Sequence, residues 1–181
     1  MKYAPEKHHR RSIRMKGFDY RQNAAYFVTL VSQGRECLFG EIMGGTMHLN
    51  VTGEIVQSAW LGLRSRFPGI ELDEFVVMPN HFHAIIVAAQ SGDGIDPRAG
   101  TSPAPTMSPG LRDVIGAFKS ISTHKIILAV RRGDLPSFTG KIWQRNYYEH
   151  IIRDNQEWER IAQFIGANPT YWAEDAENPR R

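Results

Sequence analysis

The stretch "VVMPNHFHAIIV", Val76 to Val87, decides how the chain is read. It is an apolar run interrupted by two histidines, His81 and His83, with the bulky Phe82 between them. Side chains alternate across a strand, so positions i and i+2 share a face about 7 Å apart along the chain. With Ala84–Val87 continuing as a strand, both imidazoles open it on one side and Phe82 faces the other, towards a core. Two neutral imidazoles on one rigid strand suit a divalent cation. The plainer alternative is a pair of polar residues at a strand entrance. Two ligands alone do not identify a metal.

Working outward, "IELDEFVVM" (70–78) reads as a strand that Pro79-Asn80 turns into the histidine run, as a hairpin or as one strand broken by a bulge. "AYFVTLVS" (25–32) is rich in β-branched and aromatic residues and is a strand. Gly40 to Gly45 form a turn region, and "TMHLNVT" (46–52) is a short strand. In "TGEIVQSAWLGLRSRF" (52–67), Ile55, Ala59, Leu63 and Phe67 stand at helical spacing, and Pro68-Gly69 stops the helix. Residues 90–110 are Gly/Pro/Ser-rich and form a flexible connection. A helix resumes in "LRDVIGAFKSISTHKIILAV" (111–130), and "KIWQRNYYEHIIR" (141–153) is a last strand. The final helix has Asp154 as its N-cap with Glu157 three residues on, buries Trp158, Ile161 and Ile165, and ends at Pro169. The order β–β–α–β–β–α–β–α points to a ferredoxin-like α+β sandwich, an antiparallel central sheet with helices on one face. The chain divides into a basic arm (1–24), a domain (25–172) with the loop 90–110, and a tail (173–181).

At 181 residues the chain is one domain, with or without arms, and long enough to bury a real core. A net charge of +3 and a pI near 9.1 permit a nucleic-acid partner without demonstrating one. Basic residues concentrate in Lys7–Lys16, "KHHRRSIRMK", which holds no acid. Such a run is ordinarily a solvated arm, but beside a phosphate-binding surface it adds affinity. The single cysteine, Cys37, excludes an intrachain disulfide and fits a reducing cytoplasm. No apolar run is long enough to span a bilayer and no signal-peptide pattern is present, so a soluble cytoplasmic protein is expected.

"VVMPNHFHAIIV", followed by "IWQRNYYEHIIRD" and a helix ending in "FIGANP", resembles the REP-associated tyrosine transposases, single-tyrosine HUH enzymes of the IS200-like superfamily. The N-terminal "RRSIRMKGFDY…AYFVTL…RECLFGEI" is similar as well, so the resemblance covers nearly the whole chain. It implies a ferredoxin-like catalytic core, a divalent metal, and cleavage and joining of single-stranded DNA near a hairpin. In the family the final helix carries the nucleophile in a pattern like Tyr-Ile-x-x-Asn-Pro. The matching residues here are Phe164-Ile165-Gly166-Ala167-Asn168-Pro169. The resemblance therefore makes Asn168, one helical turn after Phe164, a third metal ligand beside His81 and His83. It places Phe164 at the nucleophile position, where no oxygen is available. Either a Tyr→Phe change has been introduced, or this is a naturally inactive copy retained for binding; the intact remainder of the motif favours the first. Tyr147, Tyr148 and Tyr171 are weak substitutes, the first two on a strand and the third beyond the helix end.

The implied reaction is transesterification, in which a tyrosine oxygen attacks the scissile phosphate to give a 3′-OH and a 5′-phosphotyrosine. Magnesium or manganese suits phosphoryl transfer, and imidazole ligands tilt the site towards manganese. Single strands are held by positive grooves and stacked aromatic rings. The candidate DNA contacts are Arg10, Arg11, Arg14 and Lys16 in the arm, Lys119 and Lys125 on the second long helix, and Arg145, Tyr147 and Arg153 around the last strand. His150 has two equal readings, an approach to the metal or a phosphate, or a structural hydrogen bond. Trp60, Trp158 and Trp172 are core or helix-packing residues; Trp143 is a candidate for base stacking, with core packing the preferred reading. The expected partner is hairpin-bearing single-stranded DNA, bound by a monomer or homodimer. The main alternative is a non-catalytic DNA- or RNA-binding module on the same scaffold. A metal-dependent hydrolase using water is a more distant one.

Overall fold

The computed structural model describes residues 24–88, 110–138 and 140–181. Four strands form one antiparallel sheet: β1 (Ala24–Val31), β4 (Ile70–Val77), β5 (His81–Ala88) and β6 (Tyr148–Ile152), in the order β4-β5-β1-β6. Between β1 and β4 lie a two-stranded ribbon, β2 (Gly40–Met43) with β3 (Thr46–Leu49), then α1 (Val51–Leu61) and the short α2 (Leu63–Arg66). After β5 come α3 (Leu111–Arg132), β6 and α4 (Asn155–Ala167). The antiparallel α+β layering follows the sequence expectation. Pro79-Asn80 makes the β4–β5 hairpin, and the ladder also slips between Leu72 and Phe75.

Strand alternation divides the core in two. Tyr26, Val28 and Leu30 of β1 and Phe82, Ala84 and Ile86 of β5 share one face, where Trp60 of α1 and Phe118 of α3 pack on them. The intervening residues, Ala25, Phe27 and Ile85, face the other side with Ile152, Ile165, Trp158 and Ile161. Here the expectation of helices on one face needs correcting. It holds for α1 and α3, whereas α4 covers the opposite face, because its apolar stripe meets the odd-numbered residues of β1 and β5.

The last strand is also shorter than the run 141–153 suggests. Before Tyr148 only Trp143 makes a bridge, to Ser32. The carbonyls of Gln144, Arg145 and Asn146 turn instead to the Lys119 ammonium, at 2.8, 3.3 and 3.2 Å. Asp154 caps α4 as expected, accepting from the Glu157 amide at 2.8 Å. Glu157 departs from a reciprocal capping box: its Oε2 accepts from the amide of Arg153, one residue before the cap. The arm 1–23 and residues 89–109 lie outside the described residues, and with them Arg10, Arg11, Arg14 and Lys16.

Two helical glycines separate propensity from packing. A Cβ at Gly53 in α1 would collide with the Phe39 carbonyl oxygen, a backbone group already accepting from the Asn50 amide. A Cβ at Gly116 in α3 meets nothing within 4 Å. Alanine ordinarily stabilises a helix interior by about 1 kcal/mol over glycine. Gly116→Ala is therefore expected to raise stability by up to about 1 kcal/mol. Gly53→Ala should lower it by about 1–3 kcal/mol, the scale of overpacking. Urea unfolding of the two variants checks the opposite signs.

Candidate metal centre and nucleic-acid surface

β5 begins at His81, so both histidines enter the sheet on its α4 side, as the alternation requires. His81 is fully buried and His83 is 5% exposed. Their ring centroids are 4.6 Å apart. Asn168, at the C-terminal end of α4, is buried too. Its Oδ1 and the His81 Nε2 are buried polar atoms without a hydrogen-bond partner. A lone pair left unpaired in a dry site costs free energy unless something occupies it. Two such atoms on residues named as ligands fit a cation.

Second contacts set the histidines in ligand form. The Asn80 amide nitrogen donates to the Arg35 carbonyl at 3.0 Å and the Glu177 carbonyl at 2.7 Å. Those bonds fix which end of the amide is nitrogen, so the oxygen faces His81 Nδ1, 2.9 Å away. Nδ1 must then carry the proton, leaving the Nε2 lone pair for a metal. His83 Nδ1 lies 2.8 Å from the Thr29 hydroxyl, which anchors that ring as donor or acceptor. Burial pushes the His81 imidazole down to about 4, although Asp175 and Asn168 oppose the shift. Burial, helped by His81, holds His83 well below its ordinary value. Both rings are neutral near pH 7, the form that coordinates.

Among the described residues, an acid beside this pair is one that sequence reasoning missed. After Pro169 the chain turns through Trp172–Glu174 and returns to the histidines. Asp175 Oδ2 stands 3.8 Å from His81 Nε2. One donor atom from each of His81, His83 and Asp175 lies within 4.8 Å of the others. No periodicity runs through "NPTYWAED", so nothing local marked Asp175, which lies in the residues assigned to a tail yet stands beside the histidines.

Phe164 projects from α4 onto the same surface. Its ring centroid is 5.2 Å from that of His83 and 6.0 Å from that of Phe27, and the residue is 48% exposed. Thr29 pairs with His83 on one side and Tyr148 on the other, which puts Tyr148 on this sheet face. Tyr148 is half-exposed and packs its edge on Phe27, with centroids 6.2 Å apart. Tyr147, the ring named from sequence for DNA contact, points the other way. It packs on the main core beneath Lys119, whose ammonium is 5.5 Å from the ring centre. Strand alternation at the start of β6 separates the neighbours, and Tyr148 is the ring on the histidine face.

The cationic candidates separate as well. Lys119 spends its three protons on the carbonyls of residues 144–146, leaving none for a phosphate, and burial lowers it to about 8. Lys125 donates to the Ser58 hydroxyl of α1 at 3.2 Å, on the helix layer opposite the histidines. Arg145 and Arg153 are exposed. His150 takes its structural role: Nε2 lies 2.8 Å from Glu157 Oε1. The Arg153 amide and His150 together hold the Glu157 carboxyl below its usual range. Trp60 and Trp143 are buried as expected. Trp172 instead lies against His81, with centroids 5.9 Å apart.

The lowered histidines make stability pH-dependent. Below about pH 6.5 the unfolded chain binds protons that the folded chain refuses. Folding free energy is therefore lost as pH falls from 6.5 towards 4, by up to about 1.4 kcal/mol per pH unit for each histidine. Thermal unfolding with a chelator present should show this slope, and His81→Gln should flatten it.

No family model matches the chain. An uncharacterized protein of Haemophilus influenzae strain Rd is 38% identical over 179 residues, covering 96% of each chain. Among solved structures, that of a REP-associated tyrosine transposase bound to a REP hairpin superposes with a TM-score of 0.58. That match covers 88% of this chain and 74% of the other at 19% identity, a level that speaks for the fold. The chain belongs to the family of the Haemophilus influenzae protein and is built on the fold of a REP-associated tyrosine transposase.

Proposed function

We propose that the chain is the core of an HUH-type DNA transposase of the single-tyrosine class, acting on hairpin-bearing single-stranded DNA and disarmed by phenylalanine at position 164. The observation that carries this reading is the placement of Phe164. A half-exposed ring stands 5.2 Å from His83, and Asn168 is buried one helical turn behind it. A residue there has access both to a bound strand and to the polar cluster.

With tyrosine at 164, the phenolic oxygen attacks phosphorus in line. A new P–O bond forms to the tyrosine while the bond to the 3′ oxygen breaks, and the leaving oxygen takes a proton. The product strand carries a 3′-OH, and the 5′-phosphate stays on the protein. Attack by another 3′-OH reverses the exchange and joins strands without a nucleotide triphosphate. A divalent cation, Mg²⁺ or Mn²⁺, held by His81, His83 and Asn168 would supply Lewis-acid polarisation of the phosphate oxygens. His81 and His83 stay neutral to offer their lone pairs, Asn80 and Thr29 hold the rings, and α4 delivers position 164. Exposed Tyr148 and Phe164 give bases a surface to stack on, and Arg145 and Arg153 supply positive charge nearby. The arm with Arg10, Arg11, Arg14 and Lys16 adds phosphate contacts.

A second reading has its own observation: Phe164 has no nucleophilic atom, so the chain as it stands binds hairpins without cutting them. One assay separates the two. The Phe164→Tyr protein and the unchanged chain are each incubated with labelled hairpin DNA and Mn²⁺ and run on a denaturing gel. A covalent band with the tyrosine form alone is expected. Adding His81→Ala to that form should lower adduct formation by about 100-fold or more, the scale for lost transition-state stabilisation. Hairpin affinity should remain. If neither form makes an adduct while both bind hairpins, the protein is a binding module. Cleavage by the unchanged chain without an adduct would instead mark a hydrolase using water.

A further inference from the structure

We infer that Asp175, carried by the C-terminal segment 172–178, is the anionic ligand of the metal site and that this segment is a strap whose closure the cation reinforces. The inference rests on the metal site proposed above and concerns how its charge is balanced. His81, His83 and Asn168 are neutral donors. A divalent cation among them, cut off from water, has no compensating charge, and burying an unpaired charge is costly. Asp175 is the acid whose oxygen shares the 4.8 Å cluster with both imidazoles.

Its two oxygens are committed differently. Oδ1 accepts from the Glu177 amide in a local turn, while Oδ2 is aimed at His81 Nε2. At 3.8 Å that pair is too far apart for a hydrogen bond. Two donors each about 2.1 Å from a common ion stand roughly 3–4 Å apart. The gap thus has the width of a shared cation, and His81 Nε2 at its edge and Asn168 Oδ1 are buried without a hydrogen-bond partner.

The strap is built to return to this place. Arg35 holds it from outside: one guanidinium nitrogen donates to the Ala176 carbonyl at 3.2 Å, and the other pairs with the Glu177 carboxylate at 3.1 Å. Arg35 itself sits at φ 59, a left-handed conformation that a non-glycine residue adopts at a cost. That backbone turn presents its carbonyl to Asn80. Asn80 then joins the Glu177 carbonyl and His81 Nδ1 through one amide. Trp172 covers His81 at the start of the strap. Two imidazoles with two oxygen donors, one charged, match Mn²⁺ or another transition ion better than Mg²⁺, which favours an all-oxygen octahedron.

The test is Mn²⁺ binding by the full chain, measured by calorimetry and by loss of the free-ion EPR signal, with hydrogen exchange of residues 172–178 followed alongside. Asp175→Asn keeps the turn with Glu177 and removes the charge; it should weaken Mn²⁺ by about 10–100-fold. Glu174→Gln, an exposed neighbouring acid, should change nothing. In the unsubstituted chain Mn²⁺ should slow exchange across 172–178. Equal Mn²⁺ affinity in Asp175→Asn, or no protection of the strap by Mn²⁺ in the unsubstituted chain, overturns the inference while leaving a histidine–asparagine metal site standing. No Mn²⁺ binding by the unsubstituted chain overturns both.

Discussion

The side-chain amide of Asn80 ties together parts of the molecule that are far apart in sequence. Its nitrogen is saturated by two backbone carbonyls, one from the loop after β1 and one from the C-terminal segment, 97 positions further along the chain. Because both nitrogen protons are spent there, its oxygen has one role left, and that role sets the proton on His81. A buried amide with every valence used is worth more than its separate bonds, since loss of any partner leaves a polar atom stranded in a dry site. The tautomer of His81, the turn between β4 and β5 and the return of the strap are thus parts of one hydrogen-bonded unit.

The sheet separates the main core from the histidine cluster. On its α1/α3 side, Trp60, Phe82, Phe118 and Trp143 pack as a continuous aromatic core. On its α4 side the apolar cluster is smaller, and polar groups take over towards the end where β5 begins. Phe27 stands between the two regimes. Its ring stacks on His83 at 5.4 Å and meets both Phe164 and Tyr148 edge-on. The position assigned to the nucleophile is therefore set by aromatic packing against the strand that also supports the histidines. Even the basic residues divide along this line, with Lys119 used to hold the entry to β6 while Arg145 and Arg153 are exposed.

The sequence carried much of this in local form. Alternation placed His81 and His83 on one face and Phe82 on the other, the aromatic and β-branched runs marked β1, β4 and β5, and Asp154 marked the start of α4. The resemblance in "FIGANP" brought Asn168 and Phe164 to the same region as the histidines. What it could not reveal shares one cause: the partner lies at a distance that no local pattern encodes. The side of the sheet taken by α4 depends on which stripe of β1 and β5 remains uncovered once α1 and α3 are in place. The choice of Tyr148 over Tyr147 depends on the register with Thr29, and the shortness of β6 on a lysine 25 to 27 residues earlier.

The sequence by itself determined the antiparallel α+β class and the histidine pair, because each follows from residue type and short-range periodicity; the reading of position 164 came from the family resemblance. Tertiary structure alone decided that the chain returns past Trp172 to the histidines, that Asp175 stands 3.8 Å from His81, and that Asn80 fixes the proton on His81. Those facts depend on side-chain hydrogen bonds and ion pairs between segments separated by dozens of residues. Such contacts exist only after β1, β5 and α4 have packed.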